Sequence, residues 1–235
     1  MRYNTRMEPL TALPPLTSAS FVYVLAYTVG IVVFCLFAKK RRLLTEGMGF
    51  VAMTGLVGGL VGANLGQFLA TSGGPGKSVL GGIVGGYLAV MLAKKRLGLV
   101  RPTGDLFAVA LMAGEAVGRW GCFLGGCCGG RVCTLPWAIH NHHPTQIYLS
   151  AACALIFVIL LLTENYHKPA ENGLWYLQGA LYCPARFLIE FFRDGAARHS
   201  GLSTAQWVCL VGFAFFAYKL AKEKPFAAKS NVSLS

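Results

Sequence analysis

Two glutamate–arginine pairs fall at helical spacing in apolar stretches of this chain: Glu115 with Arg119, and Arg186 with Glu190. Residues four apart share a helix face, and Tyr182 stands one turn before Arg186 on the same stripe. An ionised side chain inside a membrane segment costs about 2.5 to 3.5 kcal/mol on insertion scales, so a chain that keeps several there uses them. The pairs leave a bundle interior polar near one end. Arginine not neutralised by glutamate, with Arg193 close by, suits a phosphate because its planar fork matches phosphate oxygens. A structural reading stands beside this one, since a buried Arg–Glu pair can serve only to fix helix register. Pro184 weakens the helix ladder next to the second pair and frees backbone carbonyls there.

The stretch GRWGCFLGGCCGG, Gly118 to Gly130, is followed closely by HPTQIY, His143 to Tyr148. His143 is the titratable group suited to proton transfer, with Tyr182 a second proton-handling residue. A histidine before proline at the start of a span also serves as a simple anchor, and both readings stand. Gln146 and Tyr148 offer hydrogen bonds to a headgroup or to neighbouring helices. Of eight cysteines, Cys122, Cys127, Cys128 and Cys133 gather in this motif, with His140, His142 and His143 after them. That raises a rival function, a membrane thiol-redox or metal-binding protein. The spacing argues against a zinc module, which prefers C-x2-4-C pairs, so no metal is assigned. An oxidising compartment would favour a disulfide from Cys127 or Cys128 to Cys133, whereas a thiol near Arg119 would be activated by positive charge. Cys35, Cys153, Cys183 and Cys209 lie in apolar segments and read as packing residues.

The elements that must hold these residues are membrane spans. Over 235 residues, 55% are hydrophobic and 13% charged, more apolar than a soluble domain of this size needs. Runs of about 20 apolar residues suffice to cross a bilayer. Seven are expected: Ala19 to Ala38, Gly47 to Ala70, Lys77 to Ala93, Gly104 to Leu124, Pro144 to Thr163, Gly173 to Phe192 and Ser203 to Leu220. The chain reads as one all-α, polytopic transmembrane domain over residues 1–221, with a disordered cytoplasmic tail over 222–235.

A net charge of +12 would suit nucleic acid if it lay on a soluble domain. It lies instead at membrane edges, in Lys39 to Arg42, Lys94 to Arg96, and Lys219, Lys222 and Lys224. One alternating topology puts every cluster in the cytoplasm, with the N-terminus outside and the C-terminus inside. No nucleic-acid partner is expected. The cysteine motif, His140 to His143 and the segment from Arg193 to Ser200 then face outward. The first span lacks a small-residue cleavage site and is followed by a basic stop, which argues against a cleaved signal peptide. Glycine runs at Gly55 to Gly66 and Gly81 to Gly86 read as close helix packing, and SGGPGK at Ser72 to Lys77 as a turn between spans.

GRWGCF, HPTQIY, the Tyr182–Arg186–Glu190–Arg193 helix and SGLSTAQW at Ser200 to Trp207 resemble, in this order, the prolipoprotein diacylglyceryl transferases; the likeness runs from about Phe21 to Leu220. The resemblance implies a seven-helix enzyme of the bacterial inner membrane with a periplasm-facing site and no cofactor. Such an enzyme moves diacylglyceryl from phosphatidylglycerol, an anionic phospholipid donor, to the lipobox cysteine thiol of a prolipoprotein and releases glycerol phosphate. Arg119, Arg186, His143, Tyr182 and Glu190 would carry catalysis, and Arg193, Gln146, Tyr148, Cys122 and Cys127 would bind substrate. The chain departs from the family pattern in several places: Cys122 stands at an asparagine, Cys127 at a glutamate, Leu80 at a histidine, Leu149 at a glutamate and Asn64 at an arginine. A lipid-binding relative without transfer is a third reading.

Overall fold

The computed structural model describes residues 15–43, 47–71, 79–194 and 198–226. Seven helices make up the architecture: α1 (Pro15–Lys40), α2 (Met48–Thr71), α3 (Val79–Arg96), α4 (Gly104–Leu124), α5 (Thr145–His167), α6 (Gly173–Glu190) and α7 (Thr204–Glu223). The all-helical class expected from the sequence holds. A two-residue antiparallel pair, β1 (Arg198–His199) with β2 (Leu202–Ser203), precedes α7. The expected spans match these helices to within a few residues, and the fourth matches at both ends.

Among the described residues, five helices are long and apolar enough to cross a membrane: α1, α2, α4, α5 and α7. The other two expected spans, α3 and α6, fall short of that mark. α3 is 18 residues long and ends in Lys94, Lys95 and Arg96, while α6 is 18 residues long and carries Arg186, Glu190 and Pro184. The basic end of α3 is exposed at Lys95 and Arg96, whereas Arg186 and Glu190 of α6 are buried.

The chain forms two compact units, residues 34–102 and residues 1–33 with 103–235. In the first, α2 and α3 pack backbone to backbone. A Cβ on Gly62 would collide with the Gly81 carbonyl oxygen and lie 2.8 Å from Gly85 Cα. Small residues permit this approach, which lets dispersion act where lipid gives no hydrophobic drive. Asn64 turns back on its own helix and donates to the Leu60 carbonyl at 2.8 Å. The turn expected at Ser72 to Lys77 lies outside the described residues, as does most of the expected tail, from residue 227 onward.

The second unit is built on α4, α5, α6 and α7, with the N-terminal part of α1. Leu106 and Val109 of α4, Cys153 and Leu160 of α5 and Leu174 of α6 form its fully buried centre, while large apolar side chains such as Phe21, Leu155 and Val211 point outward, as a lipid-facing surface requires. α1 lies close on α4, where a Cβ on Gly114 would sit 3.3 Å from the Ala26 carbonyl oxygen. Asp105 in the first turn of α4 accepts from the Trp175 N–H at 3.0 Å and ties it to the start of α6. α7 opens with a reciprocal cap: Ser203 Oγ accepts from Gln206 N–H at 3.2 Å, and Gln206 Oε1 accepts from Ser203 N–H at 2.9 Å. Pro184 sits inside α6 and has no N–H to offer the Ala180 carbonyl.

Candidate functional site

Arg119, Arg186 and Arg193 line a single cleft, together with Cys128, Thr145, Gln146, Leu149 and Ile189. It is a shallow, half-open cleft whose interior leaves about 10 Å³ of free space. α4 supplies Arg119, α6 supplies Arg186, the turn after α6 supplies Arg193, and the start of α5 supplies Thr145 and Gln146.

Two carboxylates stand behind the three arginines. Arg119 Nε and Nη2 both donate to Glu115 Oε2 at 2.8 Å. Glu190, only 3% exposed, accepts from Arg186 Nη1, lies 3.6 Å from Arg193 Nη1, and takes the Ser203 hydroxyl on its other oxygen at 3.0 Å. Three guanidinium groups thus gather beside Glu115 and Glu190, with the Cys128 thiol in the same wall. Gln146, 2% exposed, donates Nε2 to the Cys127 carbonyl at 2.6 Å, and its Oε1 is buried with no hydrogen-bond partner among the described residues. An orphaned buried acceptor of this kind suits a ligand hydroxyl.

The cysteines are arranged by the way α4 ends. Gly126 adopts φ +61°, the Cys127 N–H donates to the Cys122 carbonyl at 3.0 Å and the Gly126 N–H to the Phe123 carbonyl at 3.1 Å. These are the two bonds of a Schellman ending, which brings the residue after the glycine back over the last helical turn. Cys127 therefore closes onto Cys122. Cys128, also left-handed at φ +60°, turns the same way, and the sulfurs of Cys122, Cys127 and Cys128 lie within 4.8 Å of one another. The group is held from α5, where Thr145 Oγ1 donates to the Cys128 carbonyl at 2.7 Å and Gln146 holds the Cys127 carbonyl. From α1, the Tyr23 hydroxyl donates to Cys122 Sγ at 3.3 Å. Gly121 makes that possible, because a Cβ there would lie 2.9 Å from the Tyr23 ring.

Hydrogen bonds from Cys122 and Cys127, reinforced by Arg193 and Arg119, hold the Cys128 thiol well below the ordinary thiol range. The same contacts, with burial, push Cys127 up. The disulfide expected from Cys127 or Cys128 to Cys133 is not what the structure shows. All eight cysteines are free, and Cys133 sits instead on a strand-like arm, where its N–H donates to the Asn141 carbonyl at 2.8 Å.

The other expected residues divide. Gln146 and the three arginines meet in the cleft, and Glu190 backs them. Tyr182 stands in electrostatic range of Glu115 and Arg119 but does not line the cleft wall. His143 and Tyr148 form a separate cluster: His143 Nδ1 lies 3.3 Å from the Tyr148 hydroxyl, which accepts from Trp137 Nε1 at 2.9 Å, and the His143 ring packs 4.9 Å from Phe192. The main chain at His143 accepts from Gly130 N–H and donates to the Arg131 carbonyl, both at 3.0 Å, so the anchoring role considered for this residue is present in the geometry. Sequence reasoning missed Ser203, whose S-x-x-Q spacing to Gln206 is a readable capping box, and Thr145 and Tyr23, whose roles depend on loop closure and carry no local signal.

A family model described as prolipoprotein diacylglyceryl transferase matches residues 13–221. Among similar proteins, the phosphatidylglycerol–prolipoprotein diacylglyceryl transferase of Frankia alni is 30% identical over 226 residues, covering 80% of this chain and 59% of its own length. That of Clostridium tetani is 30% identical over 200 residues, covering 74% of this chain and 79% of its own length. That of Clostridioides difficile is 32% identical over 155 residues, covering 63% and 61%. The chain thus spans less than two thirds of the Frankia and Clostridioides proteins. With a match that reaches from before α1 to the last turn of α7 and includes every residue of the arginine cleft, the chain belongs to the prolipoprotein diacylglyceryl transferase family.

Proposed function

We propose that this protein transfers the diacylglyceryl group of phosphatidylglycerol to a cysteine thiol of a prolipoprotein. The observation that carries the reading is the cleft in which three arginines face two glutamates. Its convergent guanidinium groups suit the oxygens of a phosphodiester headgroup. Arg119 and Arg186 hold the phosphate, with Arg193 assisting from the more open side. The orphaned Gln146 Oε1 accepts from a hydroxyl of the headgroup glycerol.

The acceptor thiol loses its proton, its sulfur attacks the glyceryl carbon, and the carbon–oxygen bond to phosphate breaks as the thioether forms. The electron pair leaves with glycerol phosphate, whose charge rises as the bond breaks. Guanidinium contacts that tighten at that moment lower the barrier rather than only binding substrate. Proton handling is assigned to His143, whose ring nitrogen meets the Tyr148 hydroxyl, and to Tyr182 on the helix that carries Arg186.

The same reading puts the protein in a bacterial inner membrane as a multi-pass enzyme. The basic ends of α1, α3 and α7 support a cytoplasmic C-terminus and a site facing the periplasm. The test is transfer from phosphatidylglycerol to a lipobox peptide by the purified full-length chain. Mass spectrometry should find a diacylglyceryl thioether on the peptide and one glycerol phosphate released per transfer. Absence of both under conditions where the protein binds phosphatidylglycerol would refute the reading.

A further inference from the structure

The cleft wall holds three cations and no carboxylate or imidazole, so nothing lining it takes a proton from an attacking thiol in the ordinary way. At its rim stand the three sulfurs of Cys122, Cys127 and Cys128, within 4.8 Å of one another, and Cys128 itself forms part of the wall. We propose that these three cysteines bind one zinc ion and leave its fourth position open toward the arginine cleft, where the acceptor thiol enters.

Tetrahedral zinc with Zn–S bonds of about 2.3 Å places its sulfurs about 3.8 Å apart, so the group needs only a small rotation about side-chain bonds to close on the ion. Vicinal cysteines ordinarily point apart. Here the left-handed φ of Cys128 turns its side chain to the side on which the Schellman ending has placed Cys127 over Cys122. The main chain is fixed from a second direction by Thr145 and Gln146, which hold the carbonyls of Cys128 and Cys127. Tyr23 supplies the outer support that ligating groups require, donating its hydroxyl to Cys122 Sγ at 3.3 Å. Thiolate ligands select soft or borderline ions over magnesium or calcium. Among the described residues, no fourth histidine, cysteine or carboxylate joins the group, and three protein ligands with an open position mark a working zinc site rather than a structural one.

The role of the ion rests on the thiol-acceptor reading above. A thiol that coordinates a metal is deprotonated outright. Its proton goes to water, its sulfur forms the new bond to the glyceryl carbon, and the carbon–oxygen electron pair leaves with glycerol phosphate. Zinc keeps its oxidation state throughout.

The experiment uses the full-length protein in detergent, reduced and freed of metal, titrated with Co²⁺ as a coloured probe for zinc. A sulfur-to-cobalt absorption saturating at one equivalent and bleached by Zn²⁺ is expected. Cys127→Ser and Cys128→Ser should each weaken Co²⁺ binding at least tenfold, while Cys133→Ser, outside the group, leaves it unchanged. A lipobox cysteine peptide should shift the band as a further sulfur joins, and its serine counterpart should not. No thiolate band in the wild-type protein, or a Cys122–Cys127 disulfide as purified, overturns the site. Full lipid transfer by metal-free protein overturns the role of the ion and leaves the transfer reading standing. A stoichiometric cobalt band without any transfer does the reverse.

Discussion

Ser203 joins two parts of the site at one hydroxyl: it donates to Glu190 Oε1 at 3.0 Å and accepts the Gln206 N–H at 3.2 Å. The start of α7 is therefore bonded to the carboxylate that neutralises Arg186. Ser203→Ala removes a helix cap and a hydrogen bond to a buried charge, a combined loss of about 2 to 4 kcal/mol. Glu190→Gln leaves two arginines facing no carboxylate at that point and costs about 3 to 5 kcal/mol. Thermal denaturation in detergent should rank wild type above Ser203→Ala and Ser203→Ala above Glu190→Gln, with Ser203→Thr close to wild type. A Ser203→Ala protein that melts with wild type would show that the cap and carboxylate are not coupled.

The arginines should separate by burial. Arg119 and Arg186 side chains are 16% and 10% exposed, against 30% for Arg193. A charge-assisted contact to phosphate is stronger where water is excluded. Arg119→Ala and Arg186→Ala should each abolish transfer from phosphatidylglycerol at equal protein abundance, while Arg193→Ala mainly raises KM for the lipid. Near wild-type turnover in both of the first two variants would remove the arginines from the mechanism.

Much of this site could be read from spacing alone, because its pairs are local. Glu115 with Arg119 and Arg186 with Glu190 are four apart on single helices, and the structure forms both ion pairs. The helices themselves were legible from length and apolarity, and the α2–α3 glycine faces from their density. What spacing did not carry were the long-range meetings. Tyr23 reaches Cys122 across 99 positions of chain, and only the missing side chain of Gly121 allows it. The spacing of Cys127 and Cys128 argues against a zinc module. A left-handed residue at Cys128 reverses that, and no composition rule foretells a positive φ at a cysteine. A disulfide to Cys133 is the expectation for an oxidising compartment, whereas in the structure Cys133 is a free thiol whose N–H bonds the Asn141 carbonyl.

Gly130 is the tightest point of that arm. A Cβ there would lie 2.5 Å from both Cβ and the carbonyl oxygen of His143, and 2.7 Å from the Phe192 carbonyl oxygen. Main chain cannot yield as a flexible side chain does, so Gly130→Ala must push the arm away from α5 and from the turn after α6. Overpacking of this kind costs about 1 to 3 kcal/mol. Thr145 and Arg193 flank the displaced segment, so transfer should fall at least tenfold while helical circular dichroism stays that of wild type. Unchanged transfer would mean that the arm does not position the cleft.

Orientation in the membrane follows from where the cations stand on the helices. The last turns of α1 and α3 carry Lys39 and Lys40, and Lys94, Lys95 and Arg96, and α7 ends with Lys222. The last turns of α2, α4 and α6 carry no basic residue. If all seven helices cross, as the sequence reading expects, one topology places all three basic ends in the cytoplasm and the reverse places none there. Each Lys or Arg retained on the outside opposes insertion, so the three clusters favour the first topology. The turn after α4, with its cysteines, then faces outward together with the arginine cleft. A short epitope inserted at Thr134 to Pro136, exposed residues at the tip of the arm, should be labelled on intact cells. The same epitope between Lys94 and Arg101 should be labelled only after permeabilisation. Labelling of the second position from outside would invert the topology and put the cleft on the cytoplasmic face, out of reach of a translocated prolipoprotein.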